Sequence, residues 1–156
     1  MIVRFEIPGI PRGKQRPRMT RSGHAYTPKE TVNYENLVKL CYMDADGRRF
    51  DDVPLYVCIY AYYESPKSVS KKKRQQMING EIRPTKTPDC DNLAKAICDA
   101  LNGIAYRDDS AITTLYVQKW YGEEPKVVVH ILQDFEVKEK DEYDTERGRF
   151  MPPTEV

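Results

Sequence analysis

Apolar patterns along the chain predict four β-strands. Residues 3–7 alternate between apolar and charged side chains, which is the period of a half-buried strand. Residues 55–63 are rich in β-branched and aromatic side chains and predict a longer strand. The segments 112–121 and 126–132 are also strand-like, and the turn residues 122–125 between them predict a hairpin.

Apolar residues at helical spacing predict two helices. The sequence Thr27-Pro28-Lys29-Glu30 predicts a helix start with Thr27 as the N-cap of a capping box. An apolar stripe follows over residues 34–42, and Asp46-Gly47 predicts the end of that helix. A second helix is predicted from about Asn92 to Asn102. Its apolar stripe consists of Leu93, Ala96, Ile97, Ala100 and Leu101.

Two basic segments lie between these elements. Residues 11–21 hold five cations among prolines and a glycine, which predicts an exposed loop without regular structure. Residues 65–80 hold a second group of cations and predict a short exposed helix or an ordered loop. For this second segment, a solvated surface and contact with phosphates are equally good interpretations.

The order of the predicted elements is β, α, β, basic segment, α, β, β, which predicts an α/β protein of the α+β type. We expect a single domain with a small mixed β-sheet and helices packed against it. The domain is predicted over residues 1–133, followed by a charged, flexible C-terminal tail over residues 134–156.

The net charge of +1 conceals a difference between the domain and the tail. The tail contains eight acidic and four basic residues, a charge of −4, which leaves about +5 on residues 1–133. A positively charged domain attracts polyanions such as nucleic acid.

The remaining composition argues against several classes of protein. The four cysteines form no CxxC pair and the two histidines are remote from them, which favours reduced thiols over disulfides or zinc. The longest apolar run, residues 55–63, is too short to span a membrane as a helix, and the N-terminus lacks the apolar segment of a secretory signal. We therefore expect a cytoplasmic protein that does not enter membranes.

Closely spaced acids are the first indication of a site that could bind a cation. Asp89 and Asp91 lie two residues apart, so in an extended segment both point to the same side and can converge on one cation. Asp91 also has a structural interpretation as the N-cap of the second helix. That interpretation explains neither Asp89 nor the second pair, Asp108-Asp109, just before the strand at residue 112.

Lys95 and Asp99 follow Asp91 at intervals of four residues, so all three share one line of the predicted helix. A surface ion-pair ladder, worth roughly 0.3 to 0.5 kcal/mol per pair, remains an alternative for Lys95 and is the preferred interpretation of Asp99. A calcium-binding EF-hand is excluded, because Ala94 and Ala100 stand where that loop needs a glycine and a glutamate.

The acids belong to a longer pattern. It consists of Pro88-Asp89-Cys90-Asp91-Asn92-Leu93-x-Lys95, then Asp99-Ala100-Leu101, then Asp108-Asp109. This pattern resembles the signature of the RusA family of Holliday-junction resolvases, most closely over residues 86–117. One departure is Cys90, at a position where the family usually has an apolar side chain.

The resemblance implies a RusA-like fold and a crossover junction endodeoxyribonuclease, which resolves four-way DNA junctions by paired symmetric nicks in recombination and repair. It implies that Mg²⁺, with Mn²⁺ as an alternative, is held by Asp89, Asp91 and Asp109, with Asp108 as a secondary acid. The family's essential lysine falls on Lys95, which joins the three aspartates as a catalytic residue. A homodimer is also implied, and phage sources are frequent in the family.

DNA binding must come from the basic segments, since carboxylates repel DNA. The candidates for phosphate contacts are Lys14, Arg16, Arg18, Arg21, Lys67, Lys71, Lys72, Lys73, Arg83 and Lys86. Two alternatives stay open: a related magnesium-dependent nuclease acting on other branched or duplex DNA, and a DNA-binding protein without catalysis.

Overall fold

The structure, a computed structural model, describes residues 2–134. This part of the chain contains six strands and three helices, with a short 3₁₀ turn before the fifth strand. The elements are β1 (Ile2–Pro8), β2 (Arg18–Met19), β3 (Ala25–Tyr26), α1 (Lys29–Ala45), β4 (Leu55–Glu64), α2 (Lys71–Ile78), α3 (Cys90–Leu101), the 3₁₀ turn (Asp109–Ala111), β5 (Ile112–Gly122) and β6 (Lys126–Gln133). The predicted mixed α/β fold is confirmed.

The main sheet has the order β1-β6-β4-β5, with β4 parallel to β5 and antiparallel to β6. The predicted hairpin between the last two strands is therefore wrong, because β4 lies between them. β4 is the most apolar strand and is almost entirely buried, so its central position hides both of its faces. The chain crosses the end of β4 at Gly122, where a Cβ atom would lie 3.2 Å from Cδ1 of Tyr62.

The principal core lies between the sheet and helices α1 and α3. From α3 it takes the whole predicted apolar stripe, Leu93, Ala96, Ile97, Ala100 and Leu101, all of which are buried. The alternate residues of β1 point into the same core, as predicted. One face of α3 is thereby fixed against the sheet, and the opposite face, which carries Asp91 and Lys95, is left at the surface.

A smaller core forms on the other face of the sheet around Cys58, Tyr60, Trp120 and Val128. Helix α2 packs beside β5 on this side. Gly80, two residues after α2, has a φ of +77° and approaches Trp120 so closely that a Cβ atom would lie 2.7 Å from Cζ3. A side chain at position 80 would be excluded by both the conformation and the space.

Both predicted helix starts need correction. Helix α1 begins at Lys29 with Pro28 as its N-cap and without a side-chain cap, so the capping box at Thr27 is wrong. Helix α3 begins at Cys90, and the backbone N–H of Leu93 donates to the carbonyl of Asp89 at 3.0 Å. Asp89 is therefore the N-cap, and Asp91 lies in the first helical turn instead of an extended segment.

The two basic segments are more regular than the sequence predicts. The second contains helix α2, whose N-cap Ser70 accepts a hydrogen bond from the backbone N–H of Lys73, which confirms the helical alternative. The first is not wholly irregular, because Arg18–Met19 pairs with Ala25–Tyr26 in a two-stranded sheet. Its earlier part, residues 10–18, is called the basic loop below.

The predicted tail lies outside the described residues except for Asp134, and the boundary at residue 133 stays a prediction. The backbone N–H of Asp134 donates to the carbonyl of Pro54 at 2.9 Å, and its carboxylate accepts from Thr113 at 2.6 Å. The four cysteines are free. Over residues 2–134, none of the helices has the length and apolar character needed to cross a membrane.

Candidate active site

The three aspartates implied as metal ligands come from two neighbouring elements. Asp89 caps α3 and Asp91 lies in its first turn, and both are exposed. Asp109 is half-buried and begins the 3₁₀ turn, which contacts α3. Within residues 2–134, none of these carboxylates has an ion-pair or hydrogen-bond partner.

The described arrangement does not gather these acids into a finished metal site. Between residues 2 and 134, no group of three or more His, Cys, Asp or Glu side chains is close enough to hold a metal ion. Their chemistry fits magnesium, which prefers carboxylate oxygens. Their present side-chain positions do not bring Asp89, Asp91 and Asp109 to one point.

Asp108, the secondary acid, has a structural contact that separates it from its neighbour. Its carboxylate caps the 3₁₀ turn by accepting from the backbone N–H of Ser110 at 3.2 Å. Hydrogen bonds from the side chain and from the backbone N–H of Ser110 lower the pKa of Asp108. The two adjacent acids therefore differ, because Asp108 is engaged in the turn and the carboxylate of Asp109 is not.

Lys95 is exposed on α3, one turn after Asp91. Within the part of the chain that the structure describes, its ammonium forms no ion pair, so the ion-pair ladder, an alternative for Lys95 and the preferred interpretation of Asp99, is not formed. Asp99 pairs instead with Lys14, at 2.5 Å between Oδ2 and Nζ. The ammonium of Lys95 is thus left available beside the aspartates of the first turn.

A groove of about 770 Å³ joins the acidic site to the first basic segment. One side is formed by the basic loop and the other by the segment that leads into α3, including Asp89. The cations that line it are Arg12, Lys14, Arg16, Arg18 and Lys86. A polyanion lying in this groove would pass directly beside Asp89.

The basic loop is seated against α3 at Gly13. A Cβ atom at this position would lie 2.9 Å from both Nδ2 of Asn92 and Cβ of Pro88, so only glycine permits the approach. The next residue, Lys14, donates its backbone N–H to the carbonyl of Asn92 at 3.3 Å. The backbone N–H of Gln15 donates to Oγ1 of Thr31 at 3.2 Å, which fixes the loop to α1.

Comparison with known proteins bears on this arrangement. The family model described as Endodeoxyribonuclease RusA matches residues 8–132. The chain belongs to the RusA endodeoxyribonuclease family. It is also similar to the Uncharacterized protein YqaN of Bacillus subtilis (strain 168), with 37% identity over 134 residues that cover 83% of this chain and 94% of that protein. The family resemblance predicted from the acidic motif is confirmed, and the match includes the basic loop.

In this RusA protein, Tyr63 also lines the groove, and two lysines lie against its ring. Lys86 and Lys119 place their Nζ atoms 5.0 and 5.7 Å from the ring centroid of Tyr63. The Lys119 ammonium also donates to the carbonyl of Lys86. Burial raises the pKa of Tyr63 to about 12, so this phenol stays neutral at physiological pH.

Not every predicted phosphate contact lies at the groove. The guanidinium of Arg83 stacks 3.3 Å from the Trp120 ring centroid and donates to the carbonyl of Lys119, so it supports the fold. Lys67 and Lys71 line a separate depression of about 890 Å³ beside α2. Lys72, Lys73 and Arg21 are exposed but do not line the groove.

Several groove residues were missed by sequence reasoning. Gly13 and Tyr63 line the groove and Lys119 lies against Tyr63, but none of the three belongs to a local motif, and their roles depend on contacts between distant segments. A signal existed for Tyr63 and Lys119, because the strand alternation of β4 and β5 could have assigned each side chain to a face of the sheet. No comparable signal existed for Gly13, whose constraint is the neighbouring helix.

Proposed function

We propose that this RusA protein is a magnesium-dependent endonuclease that resolves four-way DNA junctions by paired symmetric nicks. The observation that carries the proposal is the groove, which brings cations of the basic loop next to Asp89, whose carboxylate has no ion-pair or hydrogen-bond partner within residues 2–134. Recombination and repair, a phage origin and a cytoplasmic location stay predictions.

Phosphodiester hydrolysis requires stabilisation of the negative charge that grows on the phosphate and on the leaving oxygen. In the proposal, the carboxylates of Asp89, Asp91 and Asp109 hold Mg²⁺ or Mn²⁺, and rotation of these side chains is needed because the described arrangement does not gather them. When bound, the ion supplies Lewis-acid stabilisation of that charge. Like charges that converge without a cation repel one another, so the rotation and the binding are coupled.

Lys95 has a separate role in the proposal. Its exposed ammonium lies one turn from Asp91, offers three hydrogen-bond donors, and has no ion-pair partner within the described residues. It can therefore donate to a non-bridging oxygen of the scissile phosphate. Arg16, Arg18 and Lys86 line the groove and would hold the flanking phosphates.

The decisive test is cutting of a synthetic four-way junction with Mg²⁺ and with a chelator, using wild type, Asp89→Asn and Asp44→Asn. Asp44 is an exposed acid on α1 outside the groove, so its variant loses the same charge without touching the site. We expect nicks only with the metal, loss of cutting in Asp89→Asn, and normal cutting in Asp44→Asn. Cutting by Asp89→Asn at the wild-type rate would contradict the metal assignment.

The choice of substrate needs its own measurement. A panel of a four-way junction, a flap, a fork and a linear duplex separates a junction resolvase from a nuclease acting on other branched or duplex DNA. Binding without cutting of any substrate would favour a silent DNA-binding protein. Paired symmetric nicks require two sites related by a two-fold axis, so we also propose a homodimer, which sedimentation analysis can test.

A further inference from the structure

One cation that lines the groove, Lys14, is held by two carboxylates of the protein. The Lys14 ammonium lies 2.5 Å from Oδ2 of Asp99 in α3 and 3.1 Å from Oε1 of Glu35 in α1. The side chains of Lys14, Glu35 and Asp99 are 26%, 19% and 24% exposed, so the three groups are mostly shielded from water. They are called the Lys14 cluster below.

The backbone around Lys14 is fixed to the same two helices. Its own N–H reaches the carbonyl of Asn92 in α3, and the N–H of Gln15 reaches the side chain of Thr31 in α1. The Gln15 amide also donates to Glu30 at 3.0 Å. Side-chain and main-chain contacts therefore hold the loop at one place, from which Arg16 and Arg18 extend along the groove.

The charges of the cluster oppose a role for Lys14 in direct DNA contact. One ammonium faces two carboxylates, so its charge is already compensated within the protein. Burial disfavours the charged ammonium, yet the hydrogen bonds to Asp99 and Glu35 outweigh this cost and raise the pKa of Lys14. A phosphate would have to separate Lys14 from two closer anions.

We infer that Lys14 is a positioning residue whose ammonium clamps the basic loop onto α1 and α3, and so sets where Arg16 and Arg18 meet DNA. This inference rests on the proposed function only in naming DNA as the ligand of the groove. The clamp itself is a property of the loop and can be measured without any substrate.

For Asp99→Asn, Glu35→Gln and their double variant, the clamp predicts a change in DNA affinity opposite to the one expected from charge alone. Removing an acid from a DNA-binding protein normally tightens binding, because repulsion of the phosphates falls. If Asp99 and Glu35 hold the clamp, the double variant instead binds junction DNA more weakly, by about fivefold or more. The slope of log K against log[salt] should become shallower by roughly one phosphate contact, because Arg16 or Arg18 no longer meets its phosphate.

The binding measurement is made in chelator, so that cutting does not contribute, by fluorescence anisotropy across a salt series. Asp44→Asn is the matched control and should bind as wild type or slightly more tightly. Lys14→Arg should retain affinity, because a guanidinium can serve both carboxylates, whereas Lys14→Met should lose it. Tighter or unchanged binding by the double variant would overturn the clamp and assign Lys14 to direct phosphate contact.

Hydrogen exchange of the free protein provides the second readout. In the double variant, the amides of Lys14 and Gln15 should exchange faster while amides of β4 keep their wild-type protection. Unchanged exchange in the loop, or an equal rise throughout the protein, would refute a local clamp. If wild type binds no junction DNA, the proposed function fails, and the exchange result still decides the clamp.

Discussion

Helix α3 carries acids near both of its ends, and the two groups have opposite environments. At the start, Asp89 and Asp91 are exposed, and their carboxylates lack protein partners within residues 2–134. Near the end, Asp99 is three-quarters buried and bound to Lys14 at 2.5 Å. A carboxylate compensated by a protein cation contributes to architecture, whereas one that lacks such a cation is available to an ion from solution. The helix therefore separates a chemical end from a structural end.

The largest effect is expected from Asp109 in the 3₁₀ turn, for which the adjacent Asp108 provides the matched control. Asp109→Asn should lower the rate of junction cutting by about a thousandfold, because removal of one group that stabilises transition-state charge costs up to this factor. Asp108→Asn should cut nearly as wild type, since asparagine can still accept the hydrogen bond from Ser110. Rates are measured with saturating Mg²⁺. An equal loss of cutting rate in both variants would mean that cutting depends on the structure of the 3₁₀ turn and not on Asp109 as a metal ligand.

A smaller effect is expected for Lys95→Ala, which removes the exposed cation one turn after Asp91. The cutting rate should fall by about a hundredfold through loss of a donor to the phosphate. The free energy of unfolding should change by less than about 0.5 kcal/mol, because Lys95 is exposed and has no ion pair within the described residues. Cutting assays and urea unfolding check the two values. A large loss of stability would place Lys95 among the structural residues.

The smallest effect is expected at the structural end, and it falls on stability. Lys14→Met leaves Glu35 and Asp99 without their cation, which should lower the free energy of unfolding by about 1 to 2 kcal/mol at pH 7. Lys14 has a pKa raised above 10.5 in the folded state, so its contribution is complete below the unfolded value and is lost as pH rises through the folded one.

Urea unfolding of wild type and Lys14→Met between pH 7 and 11 measures this contribution. The difference between the two proteins should be constant up to about pH 10 and should shrink above it. A difference that grows with pH in that range would show that Lys14 does not stabilise the fold through its charge.

The sequence predicts the parts of this molecule that depend on local periodicity. The α3 stripe from Leu93 to Leu101 is apparent because burial of one helical face imposes its spacing directly on the chain. The family is apparent for a similar reason, since the acids and Lys95 lie within one short segment. Helix starts were off by one or two positions, because the residues around Thr27 and Asp91 offer more than one plausible cap.

What the sequence does not predict depends on partners that are remote along the chain. Lys14 and Asp99 are 85 positions apart, and nothing near either residue indicates the other. The hairpin prediction for β5 and β6 failed because a short connection suggests adjacency, whereas the apolar β4 takes the place between them. The metal site can be predicted only in part. Its acids are recognisable in the sequence, but whether they converge on one ion depends on side-chain geometry that the sequence does not give.

The position of β1 at the edge of the sheet has a consequence for biosynthesis. β1 pairs with β6, and the register joins Ile2 to Leu132, almost the full length of the described chain. β1 therefore leaves the ribosome long before β6, the strand that supplies its hydrogen bonds in the sheet. Such distant pairing slows folding, and nascent chains that end before β6 leave the hydrogen-bonding edge of β1 open to chaperones and proteases.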